Sequence, residues 1–156
     1  FVGSFLIKEL NNFKVSNLDK NSSPFFDSIT INGDIRNFDE IKIPKGTKSV
    51  VLLAAEHRDD VSPTKLYYDV NVTGTKIVLD LMDEIGIKKL IFTSTVAVYG
   101  LNKLNPNEKS LPDPFNHYGK SKIQAEKLIH SWYNNDPENK SVTVNFIRFY
   151  LIRLIL

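Results

Sequence analysis

Ser49-Val50-Val51-Leu52-Leu53-Ala54-Ala55 is the stretch that decides the fold of this chain. It is continuously apolar after its first residue, a pattern typical of a strand buried on both faces of a parallel sheet. A second apolar run, Lys89-Leu90-Ile91-Phe92-Thr93-Ser94, follows a helical pattern over residues 63–86. Strand, helix and strand in this order predict a β-α-β unit.

The same alternation continues on either side of this unit. Residues 3–12 and 117–134 have the apolar spacing of helices. With the two runs above, the predicted strands cover residues 15–18, 28–32, 49–55, 89–94 and 142–148. We therefore predict an α/β fold, a doubly wound parallel sheet of the Rossmann-like type with helices on both faces. Sheets of this type bind ligands at the carboxyl ends of their strands.

Composition narrows the function classes. The 156 residues are 42% apolar and carry a net charge of +2 from scattered side chains, so we expect one domain and no nucleic-acid partner. The chain has no cysteine, and its three histidines lack ligand spacing, so no disulfide or metal site is expected. No apolar run approaches the roughly 20 residues of a membrane span, and no signal peptide is apparent. A cytoplasmic protein without a membrane partner is the expectation.

The two ends differ from those of a typical complete domain. The chain starts at Phe1 without a methionine and ends in the apolar run 149–156. We interpret residues 1–156 as a Rossmann-like domain that is truncated at both ends.

The stretch Tyr118-Gly119-Lys120-Ser121-Lys122 carries the clearest chemical signal. A tyrosine and a lysine four residues apart lie on one face of a helix. A positive charge beside a phenol favours the phenolate and lowers the pKa of the tyrosine from about 10 toward neutrality. The spacing therefore predicts that Tyr118 transfers protons. Taken alone, a solvated helix face is the commoner explanation of such a pair.

Two residues near the N-terminus fit a phosphate and ribose site. Gly3 opens the first helix, where a glycine permits close approach to a strand and the helix N-terminus favours phosphate. Asp19 ends the next strand, about where an acidic residue contacts the adenosine ribose in dinucleotide folds. A turn glycine and a solvated aspartate are the alternatives.

Taken together, the motifs resemble the extended short-chain dehydrogenase/reductase family, in its NAD-dependent nucleotide-sugar epimerase/dehydratase branch. Phe1-Val2-Gly3-Ser4 resembles the end of the family's glycine loop, and Leu18-Asp19 its ribose-binding strand end. Further matches, in the order of the family, are Gly33-Asp34-Ile35-Arg36, Leu53-Ala54-Ala55, Asn71 to Thr75, Phe92 to Gly100, and Tyr118 to Lys122.

The resemblance implies NAD as the cofactor and assigns residues to it. Asp19 is expected to bind the adenosine ribose, and its charge disfavours the 2′-phosphate of NADP. Asp34 is expected to accept from the adenine amine beside Ile35. Small or strand-end residues would approach the cofactor closely, and the full set of implied cofactor contacts is Gly3, Asp19, Asp34, Ile35, Leu53, Ala54, Ala55, Asn71, Tyr118 and Lys122. His57 and Arg58 face either phosphate, substrate or solvent.

The resemblance also implies the catalytic set Thr95, Tyr118 and Lys122. Thr95 would hydrogen-bond the sugar oxygen that loses its proton, and Tyr118 would exchange that proton. Lys122 would also hold the nicotinamide ribose. Thr93, Ser94, Lys120 and Ser121 receive no role, and Tyr99, Trp132 and Tyr133 are interpreted as packing residues.

The residues after Thr95 favour one reaction within the branch. Dehydratases of the branch carry an Asp-Glu pair there, and decarboxylases a Glu, whereas this chain has Val96 and Ala97. The resemblance therefore implies C4 epimerisation of a nucleotide sugar, such as a UDP-hexose or UDP-N-acetylhexosamine, through a 4-keto sugar. The alternative is another NAD-dependent oxidoreductase or dehydratase of the branch.

Two departures leave a further alternative open. The first two glycines of the phosphate loop are absent, and Leu151-Ile152-Arg153 lacks the Pro or Asn that the family has there. The family's substrate domain also lies beyond residue 156. A non-catalytic fragment of such an enzyme is therefore the second hypothesis, and a homodimer is left open.

Overall fold

The computed structural model describes residues 2–147. Its helices are α1 (Val2–Glu9), α2 (Lys65–Tyr68), α3 (Thr75–Glu84) and α4 (His117–Asn134). Its strands are β1 (Asn17–Asp19), β2 (Thr30–Asn32), β3 (Val50–Leu52), β4 (Lys89–Thr95) and β5 (Ser141–Ile147). Phe1, the predicted strand end at Arg148 and the apolar run 149–156 lie outside the described residues.

Every strand pair is parallel, which confirms the predicted fold class. The strands do not form the single sheet that we expected, however. β1 pairs only with β2, whereas β3, β4 and β5 form a second sheet in that order. Within residues 2–147 no backbone ladder links β1 to β3, so the two sheets are separate hydrogen-bonded units.

Two predicted strands differ from the observed ones in length or burial. β3 has three residues instead of seven: its ladder with β4 ends at the pair Leu52 and Phe92, and the Leu52 carbonyl accepts from the Thr93 hydroxyl there. In β4, residues Leu90, Phe92 and Ser94 are buried, but Ile91 is 37% exposed. Alternate side chains point to opposite faces of a strand, and α4 covers the face that carries Phe92 and Ser94.

The long helix predicted over residues 63–86 is present but changes its winding in the middle. A π-helical segment, Asp69–Gly74, joins α2 to α3. Thr75 donates from its hydroxyl to the Asn71 carbonyl within this segment. Wide turns of this kind occur at functional sites, and this one places Asn71 toward the interior.

The main core lies between the three-stranded sheet and helices α3 and α4. It contains Val78, Met82, Leu90, Phe92, Ala125, Ile129 and Trp132. The predicted packing role of Trp132 is confirmed by this burial. Near the C-terminal ends of α3 and α4, the buried Lys140 pairs with Asp83 at 2.9 Å and donates to the Trp132 carbonyl. This ion pair ties the chain before β5 to α3.

Candidate active site

The start of α4 sets the position of the predicted catalytic tyrosine. Asn116 caps the helix, because its side-chain oxygen accepts from the Gly119 amide at 2.8 Å. Tyr118 therefore lies in the first turn, and its phenol interacts with the Thr95 hydroxyl at the carboxyl end of β4. Thr95 in turn accepts from the Ala97 amide at 3.2 Å, and its side chain is buried. The structure thus brings two of the three predicted catalytic side chains together.

The ionisation of Tyr118 differs from the sequence-based expectation. Burial raises the pKa of Tyr118 above its usual value, and the hydrogen bond with Thr95 offsets part of that rise. The expected lowering by Lys122 is wrong for this arrangement. The reason is geometric: the Lys122 ammonium lies 3.9 Å from the ring centroid of Phe92, and the lysine does not set the ionisation of the phenol.

Lys122 is one of the most buried side chains of the chain, at 2% exposure. Burial disfavours its charged form and lowers the pKa of Lys122 to about 7, while the nearby Glu126 raises it. A lysine whose charge changes near neutral pH suits a reacting centre.

A network of hydrogen bonds holds α4 against the loop after β3. Asn71 accepts from the Glu56 amide at 2.8 Å and donates to the Glu56 carbonyl and to the Ser121 hydroxyl. Ser121 donates to the Tyr118 carbonyl at 2.8 Å. The side chains of Asn71 and Ser121 are both buried, so this network fixes the backbone that carries the phenol. A direct contact of Asn71 with the cofactor stays a prediction.

Close packing around the first turn of α4 requires a glycine at position 119. A Cβ at this position would lie 2.7 Å from the Ala97 carbonyl oxygen and 3.0 Å from Pro114. We expect Gly119→Ala to lower the free energy of unfolding by about 1–3 kcal/mol, the usual cost of overpacking, as measured by urea unfolding.

Gly3→Ala is the matched control for this prediction. A Cβ on Gly3, in α1, would meet Leu53 at an ordinary 3.5 Å, so alanine should be neutral or stabilising there. Equal stability losses in both variants would contradict the packing argument. The same distance means that close packing does not by itself require a glycine at this position.

The strand ends of the small sheet present the predicted ribose residue. Asp19 is exposed at the end of β1, where one carboxylate oxygen accepts from the Asn21 amide at 2.9 Å. In the described part of the chain its carboxylate forms no ion pair, so it is free to accept from hydroxyl groups. The Asp19 carbonyl accepts from the Gly33 amide, which links β1 to the segment after β2.

A cavity of about 370 Å³ lies next to this segment. It is lined by Asp34, Arg36, Asn37, Glu40, Asp69 and Thr73. Arg36 pairs with the Asp34 carboxylate at 2.5 Å and holds the pKa of Asp34 below its usual value. Ile35 is buried in the protein core, and its contact with the cofactor stays a prediction.

The residues after β3 are small or only partly covered. Leu53 and Ala55 are half-buried, and Ala54 is exposed. This exposure leaves space for a ligand beside the strand end. Arg58 pairs with Asp60 in an exposed loop, which favours the solvated interpretation of Arg58 over the phosphate one.

Sequence reasoning missed four residues that support the site, namely Ser94, Asn116, Ser121 and Glu126. Ser94 donates to the Glu126 carboxylate, Asn71 binds Ser121, and Asn116 caps α4. Of these, only the helix cap has a local signal, an Asn directly before the helical pattern. The other contacts join residues far apart in sequence, for which spacing carries no information.

The model of the NAD dependent epimerase/dehydratase family matches residues 1–150. The chain belongs to this family. This membership confirms the resemblance found in the sequence, and the family's dependence on NAD confirms the expected cofactor class.

Curated relatives of this epimerase/dehydratase chain include two 4-epimerases. N-acetyl-alpha-D-glucosaminyl-diphospho-ditrans,octacis-undecaprenol 4-epimerase of Escherichia coli O157:H7 is 55% identical over 146 residues, covering 92% of this chain and 44% of the relative. UDP-glucose 4-epimerase 2 of Oryza sativa subsp. japonica is 40% identical over 89 residues, covering 56% of this chain and 22% of the relative. The chain thus spans less than half the length of these relatives.

Solved structures share the fold. A UDP-glucose 4-epimerase is 29% identical with a TM-score of 0.76, covering 93% of this chain and 46% of that one. MoeE5 in complex with UDP-glucuronic acid and NAD is 27% identical with a TM-score of 0.78, covering 96% and 51%. Among residues 2–147, no helix is long and apolar enough to cross a bilayer, and no group of side chains is arranged to hold a metal ion.

Proposed function

We propose that this chain carries the cofactor site and the proton-transfer residues of an NAD-dependent 4-epimerase acting on a nucleotide sugar. UDP-hexoses and UDP-N-acetylhexosamines are the proposed substrates. The observation that carries the proposal is the meeting of the Tyr118 phenol with the Thr95 hydroxyl, one helical turn from the buried Lys122. The relatives that are 4-epimerases support the reaction.

The proposed chemistry assigns one task to each side chain. Thr95 orients the sugar C4 hydroxyl, and Tyr118 in its phenolate form takes the hydroxyl proton and later returns it. Because burial alone raises the pKa of Tyr118, this step needs a positive charge beside the phenol in the loaded enzyme. Asp19 and Asp34 would hold the adenosine half of NAD and Lys122 its nicotinamide ribose, and the bound cofactor would supply the redox chemistry at C4 as a reversible hydride acceptor. Lys122 provides positive charge beside the reacting groups. Val96 and Ala97, in the turn after Thr95, have no proton to transfer, which disfavours the elimination of water.

The described residues fit the adenosine half of NAD. Asp19 presents an exposed carboxylate at a strand end, and the cavity beside Asp34 lies past the end of the neighbouring strand. Ligands bind at this edge of a parallel α/β sheet. Asp19 would hold the ribose hydroxyls, and Asp34 would face the adenine.

Replacement of Asp19 by Asn tests this assignment. The carboxylate repels a 2′-phosphate. We therefore expect the preference for NAD over NADP, expressed as the ratio of the two dissociation constants, to be roughly tenfold weaker in the variant. The ratio of the two dissociation constants, measured by fluorescence titration, is the readout. Asp27→Asn removes an equal charge elsewhere and should leave the ratio unchanged. Tighter binding of NADP by the parent protein would refute the role of Asp19.

A lipid-linked sugar diphosphate is the second candidate substrate. The Escherichia coli relative is named for such a substrate and is 55% identical to this chain. The loop between Thr95 and Tyr118 also exposes four large apolar side chains, Leu101, Leu104, Leu111 and Phe115, of which Leu104 is 97% exposed. Apolar side chains beside a site are compatible with a polyprenyl chain or a membrane surface.

Parallel assays would separate the two candidates. The assays use a protein that contains this sequence and has the full length of the curated relatives. One assay supplies UDP-N-acetylglucosamine and the other polyprenyl-diphospho-N-acetylglucosamine. NMR identifies the sugar product of each. The proposal expects C4 epimers without net NADH. Accumulated NADH or a dehydrated sugar would overturn the epimerase assignment, whereas conversion of the lipid-linked sugar alone would select the second candidate.

Assembly and location remain predictions from the sequence. A homodimer would be detected by analytical ultracentrifugation, and a cytoplasmic location by cell fractionation. Fractionation with membranes would agree with the lipid-linked substrate and contradict the expected absence of a membrane partner. The non-catalytic alternative predicts no turnover in either assay.

A further inference from the structure

The Glu126 side chain lies on the same face of α4 as the two proposed catalytic residues. Tyr118, Lys122 and Glu126 are spaced four residues apart, so successive turns of the helix bring them into one row. The carboxylate of Glu126 is half-buried against the end of β4. The chemistry proposed above does not use this residue.

Ser94 anchors the Glu126 carboxylate. Its hydroxyl donates to the carboxylate, and the Ser94 side chain is almost fully buried. Ser94 directly precedes Thr95 in β4, so this contact ties the third turn of the row to the strand end that carries the proposed sugar-binding hydroxyl. A hydrogen bond to an ionised acceptor is stronger than one between neutral groups.

The Lys122 side chain is buried away from solvent, so hydration does not stabilise its charge. The neighbour that the structure gives its ammonium is the face of the Phe92 ring, and burial opposes its protonation. Glu126 is the group whose charge counteracts this effect. Burial raises the pKa of Glu126 above its usual value, and the hydrogen bond from Ser94 and the charge of Lys122 offset part of that rise.

The other ionisable groups on the elements around α4 have other partners or are exposed: Tyr67 donates to the Arg58 carbonyl, Tyr68 contacts His117, and Glu84 is exposed. On α2, the π-helical segment and α3, Asp69, Asp80 and Asp83 pair with Lys65, Lys76 and Lys140. Tyr99, after β4, is a neutral phenol whose pKa is raised by burial and by Glu126. Lys89 is exposed at the far end of β4, residues 141–147 contain no ionisable side chain, and Lys120, Lys127 and His130 of α4 are exposed.

We propose that Glu126 is a positioning residue for the proposed reaction, anchored to β4 by Ser94 and holding the buried Lys122 side chain in its charged form. The inference rests on the proposed function for its catalytic meaning, but the coupling between the two side chains can be measured without turnover. Glu126 contacts neither substrate nor cofactor in this scheme and acts through Lys122.

The first test measures the ionisation of Lys122 in the 156-residue chain without cofactor. Lysine labelled with ¹³C at Cε reports protonation by NMR, and the Lys122→Met variant identifies the resonance. We expect a midpoint at about 7 in the parent chain. In Glu126→Gln, which keeps the size and loses the charge, the midpoint should fall by about one pH unit. A midpoint within about 0.3 unit of the parent would overturn the proposal.

Three further variants separate charge from structure. Glu126→Asp retains the carboxylate and should keep the midpoint closer to the parent than Glu126→Gln does. Ser94→Ala removes the anchor but not the charge, and should shift the midpoint in the same direction by a smaller amount, which also serves if Glu126→Gln fails to fold. Glu138→Gln removes an exposed carboxylate distant from the row and should have no effect.

The pH profile of turnover in the full-length enzyme is the second readout. Because Lys122 acts in its protonated form, activity is lost as pH rises through its pKa. A lower pKa in Glu126→Gln should therefore move the alkaline limb of kcat to lower pH by about one unit. An active enzyme with an unmoved limb and an unmoved NMR midpoint would refute the role of Glu126 and leave the epimerase intact. A shifted NMR midpoint in a protein that converts no sugar would support the coupling and refute the proposed function.

Discussion

Replacement of Tyr118 by phenylalanine is expected to lower the turnover of the full-length enzyme by at least about a hundredfold. The variant keeps the ring that fills the space beside Thr95 and loses the proton that the proposed reaction needs. Since Thr95 is the side-chain partner that the described residues give the phenol, the free energy of unfolding should change by less than about 1 kcal/mol. Turnover at saturating sugar and thermal unfolding are the two measurements.

The matched control is Tyr133→Phe, which removes a hydroxyl from the same helix four turns from the site. This variant should retain the turnover and the cofactor affinity of the parent. Thr95→Val is expected to slow the chemical step as well, because it removes the hydroxyl that orients the sugar and interacts with the phenol. Parent-like turnover in Tyr118→Phe would end the proposal that this residue transfers the proton, whatever the other variants do.

Replacement of Lys122 by methionine is expected to affect activity and stability in opposite directions. Turnover should fall by at least about a hundredfold, because the charge beside the reacting groups is lost. Stability should be unchanged or increase, because methionine fills a buried site without a charge that must be desolvated.

The stability difference should depend on pH with a defined sign. Folding lowers the pKa of Lys122 from 10.5 to about 7, so the unfolded chain binds the proton more tightly than the folded one. Lys122 therefore destabilises the fold progressively as pH falls from 10.5 to about 7, and the effect is constant at lower pH. The advantage of Lys122→Met over the parent should be larger at pH 7 than at pH 10 in urea unfolding.

The exposed Lys120, two residues earlier in α4, provides the control. Lys120→Met removes a solvated charge and should show no such difference between the two pH values. A methionine advantage that is independent of pH would indicate that the Lys122 pKa is not lowered in the folded protein, and the interpretation of this site would then be wrong.

Much of the fold follows from local properties of the sequence. The apolar runs before Ala54 and at Leu90 predicted parallel strands, and helical periodicity predicted α4 at its observed bounds. Strand lengths were less accurate. The end of β3 is set by its pairing with a strand that is distant in sequence, and the exposure of Ile91 depends on which face of β4 a helix covers.

The sequence likewise predicted some properties of the candidate site and not others. Spacing in the sequence predicted the pair Tyr118 and Lys122, and the family resemblance added Thr95 to the set before the structure showed Tyr118 beside Thr95. Their ionisation could not be predicted, because the pKa of a side chain depends on the desolvation that surrounding residues cause. The sign of the Tyr118 shift was wrong for this reason.

The amino-acid sequence by itself determined the family, the parallel α/β fold and the helical row that carries the tyrosine and the lysine. The family follows from the resemblance of its ordered motifs, and the fold and the helical row follow from periodicity and short spacings, which act over one or two turns of chain. Only the tertiary structure placed Ser94 on Glu126 and Asn71 on Ser121, across separations of 32 and 50 residues. Such contacts form where a strand end, a π-helical segment and a helix pack together, and the resulting burial decides which side chains are charged.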